Sequence, residues 1–139
     1  VKIRAFGYKA SGIPDYIAKH SNIEFSGAVS NEELVKLYSN ALYVLFTFTH
    51  EPFGYIPIES MACGTPVLTY NTQGPSESVI DGSTGWLADD DKELMALAAK
   101  IWKDGYPEMM RKDCIERAAM FDLKNISEQW LQILKEQPQ

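Results

Sequence analysis

At 139 residues, with 45% hydrophobic and 23% charged side chains, the chain has the size and composition of one ordinary globular domain, expected to hold one core and no linker. Its formal charge of -6, with only 13 scattered Lys and Arg, excludes nucleic acid as the main partner, because backbone-phosphate binding needs a basic face. An anionic small molecule is not excluded, since a few N–H groups at a helix start hold a phosphate locally even in an acidic protein.

The elements alternate from the first residue. "VKIRAFGY" reads as a strand, and "IPDYIAKH" as a helix with Ile13, Tyr16 and Ile17 at helical spacing and Pro14 in its first turn. "NIEFSGAV" is a short strand that runs into a glycine turn at Gly27. Ser30 with Glu33 forms a capping-box pattern, and Leu34, Leu37 and Tyr38 make the inner face of the helix it opens. "ALYVLFTF" lacks polar alternation and is expected to be a central parallel strand covered on both sides. It is the longest apolar run and too short to cross a bilayer. Gly64 with Thr65-Pro66 ends the next helix, "PVLTY" is a further strand, and a short strand surrounds Trp86 and Leu87 after "NTQGPSESVIDGSTG". Three helices are expected to close the chain, over Asp90 to Lys103, about Pro107 to Met120 and about Asn125 to Lys135, with disorder confined to the ends, chiefly the "EQPQ" tail.

Strands alternating with helices predict an α/β, Rossmann-like fold with a mostly parallel sheet and helices on both faces. Ligands then bind beyond the carboxyl ends of strands, in the loops after "EFSG", "LFTF" and "VLTY". In the second of these, "HEPFGYIPIESMACGTPV" places Glu51 before a helix start at Gly54 and Glu59 about one turn inside. The N–H groups of Gly54, Tyr55 and Ile56 have no intrahelical partner, Pro57 lacks a donor where none is needed, and glycine admits a ligand close to the backbone. Donors flanked by carboxylate acceptors suit a ligand carrying both phosphates and hydroxyls, such as a nucleotide sugar. The competing reading makes Glu51 a partner of the helix dipole and Glu59 a solvated helix residue.

Glu51, Phe53, Gly54, Glu59 and "CGTPV", with "GPSESVIDGSTGWL" downstream and "NIEFSGAVSNEEL" upstream, resemble the donor-binding, C-terminal half of retaining GT-B glycosyltransferases of the group 1 family with the Glu-x7-Glu motif. The resemblance covers nearly the whole chain and is strongest from Ile23 to Asp90. It implies one donor-binding domain over residues 1–139 that transfers a sugar, with retention, from a nucleoside-diphosphate donor to an acceptor. Under it Glu51 lies near the donor sugar as the catalytic carboxylate, and Phe53, Gly54, Tyr55 and Ile56 hold sugar and diphosphate. Glu59 accepts from the ribose hydroxyls, and Gly27 and Ala28 frame the base, uridine or guanosine. The family's usual Pro-Ser before the first Glu is replaced here by "TFTH".

The resemblance implies no metal and no cofactor beyond the donor substrate. Asp89 to Asp91 spells Asp-x-Asp, but Asp90 with Glu93 reads as a helix cap. The chain opens on Val1 without an initiator Met or signal peptide, so a piece of a longer, cytoplasmic two-domain enzyme is expected. Its N-terminal acceptor domain, and the strand and loop that bring an Arg and a Lys to the diphosphate, would lie outside it. Any peripheral membrane contact would lie in that other half, and this piece alone would be inactive. Alternatives are a stand-alone nucleotide-sugar-binding or regulatory module and a sugar-nucleotide epimerase of the same fold. Cys63 and Cys114, with no metal-like spacing, read as small buried hydrophobes in a reducing compartment. His20 and His50 read as surface residues, and Trp86, Trp102 and Trp130 as core or interdomain packing, with Trp130 and Leu134 facing the absent domain.

Overall fold

The structure, a computed structural model, describes residues 2–7 and 15–136. Ile13 and Pro14, the side chain of Tyr16 and the tail beyond Glu136 lie outside the described residues. The chain divides into two compact units, Val1–Leu37 and Tyr38–Gln139.

In the first unit β1 (Ile3–Ala5) pairs in parallel with β2 (Ile23–Phe25), Ile3 opposite Ile23 and Ala5 opposite Phe25, with α1 (Asp15–Ala18) between them in sequence. Beyond the strands, Gly7 N–H donates to the carbonyl of Gly27, which turns the chain at φ 67°. Helix α2 (Asn31–Ser39) starts as expected at Ser30, whose Oγ accepts the N–H of Glu33 at 3.2 Å. Glu32 rather than Glu33 completes this end: its carboxyl is held below its ordinary range by its own N–H and then by Ser30. Leu34 and Leu37 are half-buried and Tyr38 is buried, the inner face the spacing predicts.

The second unit contains β3 (Val44–Phe46), α3 (Tyr55–Ala62), β4 (Val67–Tyr70), α4 (Gln73–Ser78), β5 (Gly85–Ala88), α5 (Asp91–Asp104), α6 (Met109–Ala119) and α7 (Leu123–Glu136). Its sheet has the order β3-β4-β5, all parallel, with Val44, Val67 and Gly85 in register. The pleat divides its side chains between two cores. Val67, Phe46 and Leu87 pack with Met61 of α3 and Met110, Cys114 and Ala118 of α6. Leu68 and Ala88 pack on the other face with Leu94 and Ile101 of α5. Helices therefore cover both faces of this sheet, as expected.

Among the described strands β4 is the central one, and "ALYVLFTF" supplies the outer strand β3, only three residues long. Phe46 is buried, but Leu45 is 45% and Phe48 64% exposed. The apolar run overstates the strand because Ala41 to Tyr43 belong to the turn after α2. Here "VLTY" carries the burial, including Thr69, which is fully buried despite its hydroxyl.

Helix α4 was not foreseen. Gly74-Pro75 reads as a turn pair, yet proline fits a first helical turn, where its N–H is not required. The guanidinium of Arg117 closes the far end of α4, donating from Nε to the carbonyl of Ser78 at 2.9 Å and from an Nη to that of Glu77 at 2.6 Å. The cap of α5 is as predicted: Asp90 Oδ1 accepts the N–H of Glu93, and Glu93 accepts the N–H of Asp89, each at 2.8 Å.

Of the tryptophans only Trp86 packs inside, edge-on to Tyr106 at 5.8 Å. Trp102 is exposed because Leu94, Leu97 and Ile101 set the inner stripe of α5, and Trp130 is exposed on α7. Cys114 is fully buried and its thiol is pushed up to about 12 by burial, while Cys63 is half-buried; both are free. Among the described residues no helix is long and apolar enough to cross a membrane.

Gly85 tests the contact between β4 and β5. A Cβ there would sit 2.8 Å from Val79 Cγ1 and closer still to the carbonyl of Val67. Gly85→Ala is expected to lower stability in urea unfolding by about 2–3 kcal/mol through overpacking. Gly105→Ala, where the space is open but φ 68° and ψ -155° suit glycine alone, should cost about 1–3 kcal/mol through backbone strain.

Candidate functional site

The loop from β3 to α3 is organised by one carboxylate. Glu51 is half-buried, and its Oε1 accepts the N–H of Gly54 at 3.1 Å and lies 3.5 Å from that of Phe53. Gly54, buried, stands at φ 82° and ψ 85°, a conformation open to glycine, and α3 begins at the next residue. The Gly54 N–H expected to face a ligand is therefore held by the protein's own carboxylate. The N–H groups of Tyr55 and Ile56, in the first turn, remain unpaired by the helix itself.

A second element fixes this loop from the side. Gly74 of α4 donates its N–H to the carbonyl of Glu51 at 3.3 Å and lies so close to the Phe53 backbone that no Cβ fits between them. Phe53 meets Tyr55 edge-on at 5.2 Å and Phe121 at 6.1 Å, while the Arg117 guanidinium sits 5.0 Å from the Phe121 ring. Ile56 turns inward onto the α3/α6 core. The exposed His50 has Thr49 Oγ1 at 3.1 Å from its Nδ1, and Asn22 N–H donates to His20 Nδ1.

Glu59 is exposed on α3, one turn beyond Tyr55, and accepts from the Tyr38 phenol at 3.1 Å through Oε2. Burial, and then the Glu59 carboxylate, raise the Tyr38 hydroxyl well above its ordinary value of 10.0, so it remains a donor. The structure thus brings Glu51, Phe53 and Gly54 into one hydrogen-bonded turn and sets Tyr55, Ile56 and Glu59 on the helix that follows. Gly27, half-buried, and Ala28, exposed, follow β2 in the other unit. Sequence reasoning missed Gly74 and the role of Tyr38. Each acts across a long separation, and the only local signal was Tyr38 on the inner stripe of α2.

A cavity of about 600 Å³ opens at the carboxyl ends of β4 and β5, lined by Thr49, Tyr70, Asn71, Thr72 and the segment Ala88 to Lys92. Its polar groups largely satisfy one another: Tyr70 O–H donates to Asp91 at 2.5 Å and Asn71 Nδ2 to Asp89 at 3.0 Å. The cavity lies past "VLTY", in one of the loops marked from the sequence, and includes the Asp89 to Asp91 run read there as a cap, but none of the residues assigned to the donor lines it. Among the described residues no group of three or more His, Cys, Asp or Glu is placed to hold a metal ion.

Parallel strands under helices, with loops gathered past the strand ends, make a Rossmann-like architecture, the one found in GT-B glycosyltransferases. The model of the glycosyl transferases group 1 family matches residues 16–120, and the chain belongs to that family. It is 35% identical over 104 residues to alpha-1,3/1,6-mannosyltransferase alg2 of Schizosaccharomyces pombe, covering 75% of this chain and 19% of that protein. Over 112 residues it is 34% identical to the GDP-mannose-dependent alpha-(1-6)-phosphatidylinositol dimannoside mannosyltransferase of Mycobacterium tuberculosis, covering 80% of this chain and 27% of the relative. The chain therefore spans less than a third of the length of these relatives.

Among solved structures, sucrose-phosphate synthase from Thermosynechococcus elongatus superposes with a TM-score of 0.74 at 31% identity, over 84% of this chain and 30% of that one. Anabaena Alr3699/HepE in complex with UDP gives a TM-score of 0.81 at 24% identity, over 99% of this chain and 41% of that one, a likeness of fold.

The buried Tyr38 phenol sets a pH dependence. The folded chain keeps a proton that the unfolded chain releases above about pH 10, so stability is complete below that pH and falls as pH rises past it. Urea unfolding between pH 8 and 11 should show this alkaline loss reduced in Tyr38→Phe. Tyr43 and Tyr106, also raised by burial, would supply the remaining slope.

Proposed function

We propose that this chain is the nucleotide-sugar-binding part of a retaining glycosyltransferase that moves a hexose from a nucleoside-diphosphate donor to an acceptor. The observation that carries the reading is the start of α3, where a family member sets carboxylates on both sides of a glycine-led helix N-terminus and anchors each of them. Glu51 is held by Gly54 N–H and Glu59 by the Tyr38 phenol. In this reading Glu51 meets hydroxyls of the donor sugar beside the reacting carbon, and Glu59 meets the ribose. The N–H groups of Tyr55 and Ile56 take a diphosphate oxygen at the positive end of α3. Phe53 and Gly54 supply the wall against which the sugar rests, and Gly27 and Ala28 border the base.

Catalysis on this plan is positioning together with stabilisation of the departing diphosphate, without a resident metal. The mannosyltransferase relatives and the UDP complex of a structural neighbour support a GDP- or UDP-hexose as donor. Acceptor recognition belongs to the part of such enzymes that this chain does not span, and activated sugars place the reaction in the cytoplasm.

Ligand-observed NMR against uridine, guanosine and adenosine diphosphate sugars tests the proposal, run on this chain and on the full-length protein. One nucleotide is expected to bind, with Glu59→Ala weakening it about tenfold or more through the lost charged hydrogen bonds. Glu51→Ala should remove the preference for the sugar-bearing donor over the free diphosphate. Absence of binding to every nucleotide in the full-length protein would overturn the reading.

A further inference from the structure

The Glu59 carboxylate is exposed, yet it is anchored from below. Tyr38, 2% exposed at the end of α2, donates its O–H to Glu59 Oε2 at 3.1 Å. The backbone of Tyr38 is tied to the turn that ends α3, the helix of Glu59: its carbonyl accepts the hydroxyl of buried Thr65 at 2.7 Å. Thr65 is locked in turn to Ser60, one residue past Glu59, by Thr65 N–H to Ser60 carbonyl at 3.0 Å and Ser60 Oγ–H to Thr65 carbonyl at 2.8 Å. Phenol and carboxylate therefore share one frame, whose Thr65 and Ser60 links are buried and whose 3.1 Å contact is part-buried.

We propose that Tyr38 is a positioning residue that sets the site's preference for an intact ribose. This rests on the reading of Glu59 as the ribose acceptor. An exposed glutamate turns about three side-chain bonds, and fixing it on binding opposes affinity. The Tyr38 O–H fixes one oxygen of this exposed side chain beforehand, while Oε1 accepts no hydrogen bond among the described residues. A carboxylate so held is acceptor-only, and a vicinal diol, with two O–H donors side by side, is its matching partner. A nucleotide without those hydroxyls gains nothing from the arrangement.

The test is calorimetric binding of GDP, UDP and their 2′,3′-dideoxy analogues to the full-length protein, comparing wild type, Tyr38→Phe, Glu59→Gln and the double variant. Tyr38→Phe keeps the ring in the core and removes only the hydroxyl. It should weaken the bound ribonucleotide about tenfold, leave the dideoxy analogue unchanged, and add nothing in the Glu59→Gln background. Equal weakening of both nucleotides would assign Tyr38 a purely structural role and overturn the proposal, as would full affinity in Tyr38→Phe while Glu59→Gln binds poorly. If Glu59→Gln itself binds the ribonucleotide as wild type does, the ribose reading fails first and the proposal falls with it. Should Tyr38→Phe not fold, 3-fluorotyrosine in place of Tyr38 keeps ring and hydroxyl but makes the O–H more acidic. It should shift ribonucleotide affinity alone, and an equal or absent shift would overturn the proposal.

Discussion

The hydrogen bond from Gly54 N–H to Glu51 is the constraint around which the second unit is arranged. It reverses the chain leaving β3, sets the first residue of α3, and so fixes which face of that helix meets α6 and the sheet. With Ile56 and Met61 turned to the core, Tyr55 and Glu59 are left outward. A part-buried hydrogen bond of this kind contributes about 1 kcal/mol by itself. Its larger consequence is geometric, because a turn held by a carboxylate three residues earlier has one conformation rather than several. Gly74 then closes the arrangement, since only a residue without Cβ lets α4 come against the backbone of Phe53.

The central strand explains how so small a unit supports this loop. Successive residues of β4 face opposite ways, Val67 toward α3 and α6 and Leu68 toward α5, so three short strands anchor two helical layers. Arg111 reinforces one layer by donating to the carbonyls of Gly64 and Ala41, and Arg117 reinforces another by closing α4. Each guanidinium satisfies helix-end or turn carbonyls that would otherwise depend on water, which converts loop ends into parts of the packed structure.

What could be read from the residues was whatever is written locally. The Asp90–Glu93 cap, the Gly64 helix end, the inner stripe of α2 and the order Glu51, Gly54, Glu59 are each signalled within a few positions, and each is where it was expected. That β4 and not β3 is the middle strand of the described β3-β4-β5 sheet was hidden because hydrophobicity reports burial and not neighbour order. Helix α4 was hidden because Gly-Pro has the same spelling in a turn and in a helix start. The partners of the candidate carboxylates were hidden for a different reason: Tyr38 lies 21 residues from Glu59, and nothing in either neighbourhood names the other. The occupied state of Gly54 N–H was open to sequence reasoning, since a carboxylate three residues back is within reach of a turn glycine's N–H, yet that N–H was read as a ligand contact.

That double meaning of Glu51 bears on how a donor sugar would enter. A carboxylate resting on a helix N-terminus occupies part of the positive end that attracts anions, and two negative groups do not share one N–H. A diphosphate in the proposed site therefore finds its donors further along, at Tyr55 and Ile56, and is kept from Gly54 by repulsion. A hydroxyl, by contrast, meets in Glu51 an acceptor already oriented and still carrying free lone pairs on its second oxygen. In the proposed site the same bond would thereby sort the two halves of a nucleotide sugar, with the phosphate along α3 and the hexose toward the loop. Position along a single turn of backbone is enough to do this in the proposed site, and it gives the acid before the glycine a role distinct from that proposed for the acid inside the helix.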